Sequence, residues 1–189
     1  MNLILGSQSV GRKKVLTDAG YRFTIMPADI DEKSIRSDNY ELLPILIARA
    51  KAEKLIPQIA KPSILITSDQ IVVCNGELRE KPVSESQARH YLQSYNFYPA
   101  QTNTAVVVTN TLTGKQAKRL DISKTYFKSL TKDKIDEIIN SGKSMNTAGG
   151  FLSEDPLFIP LIDRIEGDPT GVLGLPLELT RELIEKVSS

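Results

Sequence analysis

The stretch from Ile64 to Pro82, I-L-I-T-S-D-Q-I-V-V-C-N-G-E-L-R-E-K-P, constrains the fold more than any other part of the chain. Ile64 to Thr67 has the composition of a buried strand, runs into the polar pair Asp69-Gln70, and gives way to a second apolar run, Ile71 to Cys74. Asn75-Gly76 is a strong two-residue hairpin signal, so the chain is expected to return through Glu77, Arg79 and Glu80 to Lys81-Pro82. A half-buried aspartate between apolar flanks costs several kcal/mol, roughly 2 to 5, unless a cation, a metal or a hydrogen-bond donor offsets it. Asp69 therefore either caps a turn between two strands or faces a polar site, and the hairpin would bring two acids and a lysine back toward it.

Charge balance narrows the classes. Lys and Arg number 24 against 23 Asp and Glu, mixed along the chain, which is not the one-signed field of a nucleic-acid binder. No apolar run approaches the roughly 20 residues of a membrane span. Met1 to Leu5 is too short for a signal-peptide core, so a cytoplasmic protein is expected. The single cysteine, Cys74, has no partner for an intramolecular disulfide, which agrees with a reducing compartment, and its valine neighbours suit a buried structural thiol. The single histidine, His90, lies in a helical stretch, A-R-H-Y-L, leaving no imidazoles for a zinc cluster. A bound metal would draw on carboxylates and water, which points to magnesium or manganese.

At the N-terminus a short strand, Asn2 to Leu5, leads into Gly6-Ser7-Gln8-Ser9-Val10-Gly11-Arg12-Lys13-Lys14, then a helix through Val15, Leu16 and Ala19. Such a loop either caps its helix with serines or offers amides, Ser7, Ser9, Arg12 and Lys13 to an anion. It lacks the Gly-Lys-Ser/Thr ending of a Walker loop. Gly20 ends the helix, Tyr21 to Met26 alternates as a strand, and Pro27 to Lys33 forms a loop. In that loop Asp31 and Glu32 are either a solvated turn or candidates for metal or water contacts.

Asn39 to Ala60 predicts a long helix with Pro44 in its first turn, and Lys51 and Lys54 on the face opposite much of its apolar stripe. Ser84 and Gln87 match a capping box for a helix to Tyr95. Ala100 to Asn110 contains a strand, Thr113-Gly114 a turn, and Ile122 to Leu130 its antiparallel partner. Thr131 caps a helix that Gly142 stops. The remainder reads as loops, Ala148 to Pro156 and Ile165 to Asp168, before Val172 to Leu177 opens a last helix. Glycines there suggest tight turns or close backbone approach to a ligand. No repeat or linker divides residues 1–189, so one domain is expected.

With these motifs laid out, the chain resembles the Maf family of nucleotide pyrophosphatases from end to end. The matching motifs are L-I-L-G-S-Q-S-x-x-R-K, D-I-D-E at Asp29 to Glu32, A-R-A-K-A around Lys51, S-D-Q-I-V-V, N-G-E-L-x-E-K-P, A-G-G-F-L-S-E, and the later G-D and G-L-P-L. The resemblance implies an α/β fold, Maf/ITPase-like, with an elongated mixed twisted sheet flanked by helices and a cleft between two lobes. It implies hydrolysis of a nucleoside triphosphate to a monophosphate and diphosphate with a divalent cation. Asp69 is then the base or water activator, with Glu32 and Asp69 holding the metal and Lys51 and Lys81 completing the catalytic set. Ser7, Arg12 and Lys13 would bind phosphate. Family members are often homodimers.

Within the family the chain is most similar to the branch acting on 7-methyl-GTP, which carries Asp-Gln and Ser-Glu where this chain has Asp69-Gln70 and Ser153-Glu154. Asn146-Thr147 stands where the dTTP and UTP branch has Asp-Lys. Gln70 and Glu154 are thus the expected base readers, and Gly11 occupies a position where an arginine or tryptophan commonly helps choose the base. Two alternatives remain: a dTTP/UTP or modified-pyrimidine pyrophosphatase, and a non-catalytic nucleotide-sensing regulator of cell division.

Overall fold

A strand of 12 residues, β3 (Ser63–Cys74), runs without a break through Asp69 and Gln70 in the computed structural model, which describes residues 1–189. The turn considered for Asp69 does not form. Asp69 and Gln70 stay extended because they pair across the sheet with Ala105 and Thr104. Three strands precede or follow β3 closely: β1 (Asn2–Leu5), β2 (Thr24–Ile25) and β4 (Glu77–Arg79). Three more lie in the second half: β5 (Ala100–Asn110), β6 (Gln116–Phe127) and β7 (Ile162–Glu166). Together they form one sheet in the order β2-β1-β3-β5-β6-β7, with β4 paired to the far end of β3. β2, β1 and β3 are parallel, and the rest pair antiparallel.

Six helices flank this sheet: α1 (Val10–Asp18), α2 (Leu42–Leu55), α3 (Glu85–Ser94), α4 (Lys132–Asn140), the short α5 (Pro169–Val172) and α6 (Leu177–Ser188). Their ends follow local chemistry. Ser84 and Thr131 accept from the amides of Gln87 and Lys134, and Gly20 takes φ +80 so that Tyr21 N can donate to the Leu16 carbonyl. At the β3–β4 hairpin Asn75 and Gly76 both have positive φ, 49 and 78, as the two-residue turn requires.

Alternation along β3 distributes its side chains between two layers. Leu65 packs with Ala48, Ala52 and Leu55 of α2, and Ile71 and Val73 with Leu43 and Ile47. On the opposite face Ile64 and Ile66 meet Leu183 and Val187 of α6, while Val72 and Cys74 meet Ala88, Leu92 and Ile138. Cys74 is thus the buried thiol expected.

Two strands depart from the sequence reading. β7 falls where a loop was expected, because its residues Asp163, Arg164 and Glu166 are exposed on an edge and carry little apolar signal. β6 begins at Gln116 rather than Ile122 for the same reason: Lys118 and Arg119 face solvent. No helix is long and apolar enough to cross a membrane.

β1 covers β3 only from Ser63 to Ile66, and β4 only from Val72 to Cys74. Between these pairings the edge of β3 is bare, and a large concavity opens there.

Candidate active site

The concavity holds about 710 Å³. Gly6 to Ser9 and Arg12 form one wall, with Ala28, Asp29 and Glu32 beside them. Lys51, Asp69, Gln70 and Lys81 lie along the floor, and Asn146 to Ala148, Phe151 to Glu154, Val172 and Leu173 close the far side.

At its centre Lys51 joins two carboxylates. Its Nζ lies 2.8 Å from Asp69 Oδ1 and 2.8 Å from Glu32 Oε1, with the Ser68 carbonyl at 3.4 Å. Lys51 and Asp69 are each only 6% exposed, whereas the Glu32 side chain is half exposed. Lys51 was expected on the outer face of α2, and the structure corrects this: Lys54 is exposed but Lys51 turns inward, where β1 ends and leaves room for a polar head above an apolar stem. Burial raises the pKa of Asp69, opposed by the charges of Lys51 and Arg12 and aided by Glu32.

Neither Asp69 Oδ2 nor Glu32 Oε2 has a protein partner, and no third acid, histidine or cysteine completes a cage. Two hard carboxylate oxygens beside an open cavity suit a magnesium-type ion, which takes its remaining ligands from water and phosphate.

Arg12 is fastened by three acceptors. Its Nη1 donates to the Ser68 carbonyl at 2.9 Å and to Ser7 Oγ at 3.1 Å, and its Nε donates to the Gly174 carbonyl at 3.0 Å. Burial lowers its pKa, while Asp69 and Glu32 hold it up. Ser7 is buried and lines the cavity with Arg12, but Lys13, on the next position of α1, does not reach it. Of the residues that the hairpin was expected to return, Lys81 lines the cavity; Glu77 pairs with Arg79 at 3.0 Å and Glu80 with Arg36 at 3.3 Å.

Gly11 does not line the cavity either. It is buried in α1 against the segment after α5, where a Cβ would stand 2.6 Å from the Leu173 carbonyl oxygen and 3.6 Å from Glu154 Oε1. Its smallness serves this backbone contact. Glu154 is exposed at the cavity mouth beside Ser153, whose Oγ donates to it at 3.4 Å.

Gln70 lines the cavity with its donors already engaged. Its Nε2 lies 2.8 Å from the Gly171 carbonyl, 3.1 Å from that of Val172 and 2.9 Å from Thr104 Oγ1. Thr104 Oγ1 also donates to the Gly171 carbonyl, at 2.9 Å, and Ser68 Oγ donates to Gly174 at 2.8 Å. The turn from Gly171 to Gly174 is therefore tied to β3 and β5 by residues that sequence inspection passed over, Ser68 and Thr104. The signal for Ser68 was its parity with Gln70 on one strand. Gly174, among the glycines read as marking tight turns or close approach to a ligand, has φ +93 and faces the Arg12 side chain, and the neighbouring Gly171 also stands against protein, where a Cβ would fall 2.2 Å from Asp121 Oδ2.

A family model described as Maf-like protein matches residues 2–187. The chain is similar to the 7-methyl-GTP pyrophosphatase of Dictyostelium discoideum, with 47% identity covering 98% of this chain and 97% of that protein. It is also similar to the dTTP/UTP pyrophosphatase of Bdellovibrio bacteriovorus, at 31% identity over 97% of each chain, and to a nucleoside triphosphate pyrophosphatase of Rippkaea orientalis, at 31% over 98% of this chain and 89% of the relative. With the match running through every segment that builds the cavity, the chain belongs to the Maf family.

Proposed function

We propose that this protein is a nucleoside triphosphate pyrophosphatase that converts 7-methyl-GTP and water to 7-methyl-GMP and diphosphate. The observation that carries the reading is the Glu32–Lys51–Asp69 arrangement, with Lys51 Nζ 2.8 Å from both acids, set in a cavity that also holds Arg12 and Lys81. Asp69 takes a proton from the attacking water, whose oxygen bonds to the α-phosphorus. The bond from that phosphorus to the bridging oxygen breaks, and diphosphate leaves with the electron pair. A carboxylate with raised pKa is a stronger base than an ordinary one, and Lys51 opposes that rise and orients the group. Arg12, Ser7 and Lys81 face the oxygens around the α-phosphorus, where charge develops.

Glu32 and Asp69 would hold a magnesium or manganese ion, which when bound neutralises phosphate charge and orients water. The identity to a 7-methyl-GTP pyrophosphatase and the pair Ser153-Glu154 support the choice of base. A carboxylate at the cavity mouth accepts from the N1-H and N2-H edge of guanine and meets the positive charge that methylation places on the ring. A nucleotide substrate and a lone buried thiol suit the cytoplasm.

A panel of 7-methyl-GTP, GTP, UTP and dTTP with either metal, assayed for diphosphate, tests this. The expected result is preferred turnover of 7-methyl-GTP that Asp69→Asn abolishes while the protein stays folded. Preference for UTP or dTTP would replace the substrate, and tight binding without turnover would replace the enzyme by a nucleotide sensor.

A further inference from the structure

The turn from Gly171 to Gly174, whose Val172 and Leu173 close the far side of the cavity, rests on a row of three side chains. Gln70, Thr104 and Asp121 are direct cross-strand neighbours on β3, β5 and β6, and all three meet one residue, Gly171. Gln70 Nε2 and Thr104 Oγ1 donate to its carbonyl at 2.8 and 2.9 Å. Asp121 makes a different contact: its Oδ2 lies where a Cβ on Gly171 would stand only 2.2 Å away. Asp121 does not line the cavity, and the proposed chemistry makes no use of it.

The surroundings of an ionised Asp121 are one proton short. Ser123 Oγ lies 2.8 Å from Asp121 Oδ2 and 3.0 Å from the Asp168 carbonyl oxygen, so three oxygens share two hydrogen-bond contacts. Ser123 is fully buried, and its hydroxyl supplies a single hydrogen. With Asp121 ionised, that hydrogen turns to the carboxylate, and Ser123 Oγ faces the Asp168 carbonyl with lone pairs on both sides. With Asp121 protonated, its Oδ2–H donates to Ser123 Oγ, Ser123 donates to the carbonyl, and both contacts are bonds. The same carbonyl accepts from Gly171 N at 2.9 Å, and Asp168 Oδ1 caps α5 by accepting from Thr170 N at 2.8 Å. A proton on Asp121 is thereby tied to the start of the turn. Burial raises the Asp121 pKa, Ser123 opposes the rise and the Asp168 charge adds to it. Arg119, two residues along the same face of β6, is engaged with Glu182 of α6, and β5 presents the uncharged Thr104.

We infer that Asp121 is a positioning residue of the site, which in its protonated form latches residues 168–174 against β6 and on ionisation releases them. Its consequence for substrate rests on the pyrophosphatase reading: the segment carries Val172 and Leu173 to the cavity and offers Arg12 the Gly174 carbonyl at 3.0 Å. The closed turn binds the proton more tightly than the open one, so the latch holds below the Asp121 titration and fails as pH rises through it. Substrate affinity then weakens toward alkaline pH through a group outside the cavity.

The test uses the full chain, Asp121→Asn and Asp121→Ala, with amide exchange followed across residues 168–174 from acid to alkaline pH and corrected for its intrinsic pH dependence. Asparagine presents a permanent N–H donor to Ser123 and cannot ionise, so it should keep the turn protected throughout. The parent should lose about two- to tenfold in protection as pH rises, the worth of one hydrogen bond, and Asp121→Ala should lack that protection at every pH. KM for 7-methyl-GTP should follow the same pattern, with kcat nearly unchanged. Identical pH profiles for the parent and the asparagine variant overturn the inference, as does an alanine variant that matches asparagine. Should the alanine variant not fold, the comparison of parent with asparagine decides alone. Should no nucleotide be turned over, the pyrophosphatase reading falls, while the exchange profiles still decide whether Asp121 holds the turn.

Discussion

Asp69 and Gln70 are consecutive in sequence and face opposite sides of one strand. Asp69 shares its face with Thr67, whose Oγ1 donates to the Ala48 carbonyl of α2, and is held there by Lys51 of the same helix. Gln70 shares its face with Ser68, and both reach the turn from Gly171 to Gly174. A single extended dipeptide thus couples the layer that carries Lys51 to the layer that closes the cavity.

From this follows a role for Gln70 that is primarily positional. Gln70→Ala removes the donor shared by the Gly171 and Val172 carbonyls; Gly171 keeps Thr104 Oγ1, but leaving the Val172 carbonyl unpaired costs about 1 to 3 kcal/mol. The expected outcome is that loss in urea denaturation, faster amide exchange across residues 168–174, and a raised KM. Unchanged exchange with altered base preference would make Gln70 a direct reader instead.

Lys51→Met should destabilise in a pH-dependent manner. Burial already raises the Asp69 pKa above 3.8, and removing Lys51 lets it rise further. A carboxyl that holds its proton more tightly when folded favours folding below the unfolded pKa, and that contribution is lost as pH rises through the folded pKa. The variant should therefore lose about 3 kcal/mol against the parent near neutral pH and distinctly less in acid. Denaturation curves at the two conditions decide it, and a loss independent of pH would refute the coupling.

Gly11→Ala sets two effects against each other. Alanine favours a helix over glycine by about 1 kcal/mol, but its Cβ would stand 2.6 Å from the Leu173 oxygen, and overpacking costs about 1 to 3 kcal/mol. The clash is with backbone and should win, giving a lower Tm and a raised KM through displacement of Leu173. A higher Tm would show that the segment yields freely.

Glu154→Gln should cut kcat/KM for 7-methyl-GTP by about tenfold or more, since it replaces a charged acceptor by a neutral one. UTP hydrolysis, which offers no cationic ring, should change little. Equal losses on both substrates would remove Glu154 from base recognition.

Much of the fold was legible because it is written locally. The Asn75-Gly76 turn, the Ser84 and Thr131 caps and the Gly20 stop each depend on a few adjacent residues. Ser7, Arg12, Glu32, Lys51, Asp69, Gln70, Lys81 and Glu154, which the family resemblance named, line the cavity, whereas Lys13 and Gly11 do not. What stayed hidden depends on contacts distant in sequence. The inward turn of Lys51 follows from where β1 stops, and the edge strand β7 is too polar to announce itself. Gly11 and Gly174 resemble ligand-facing glycines until the Leu173 backbone and the Arg12 side chain occupying the space are known.

The uncovered stretch of β3 gives the length of β1 an importance that its four residues conceal. The last rung of that pairing is Gly6 N to the Ile66 carbonyl at 2.7 Å, and a Cβ on Gly6 would meet Thr67 Cγ2 at 2.6 Å, so the chain leaves the sheet at the one residue able to make that exit. Two further residues of pairing would take up the Ser68 carbonyl, which now receives Arg12 and Lys51. An insertion there would seal the cleft while leaving every side chain in it intact. The tolerance of this family to insertions and deletions should therefore be lowest between Leu5 and Ser9, where strand length acts as the aperture of the site.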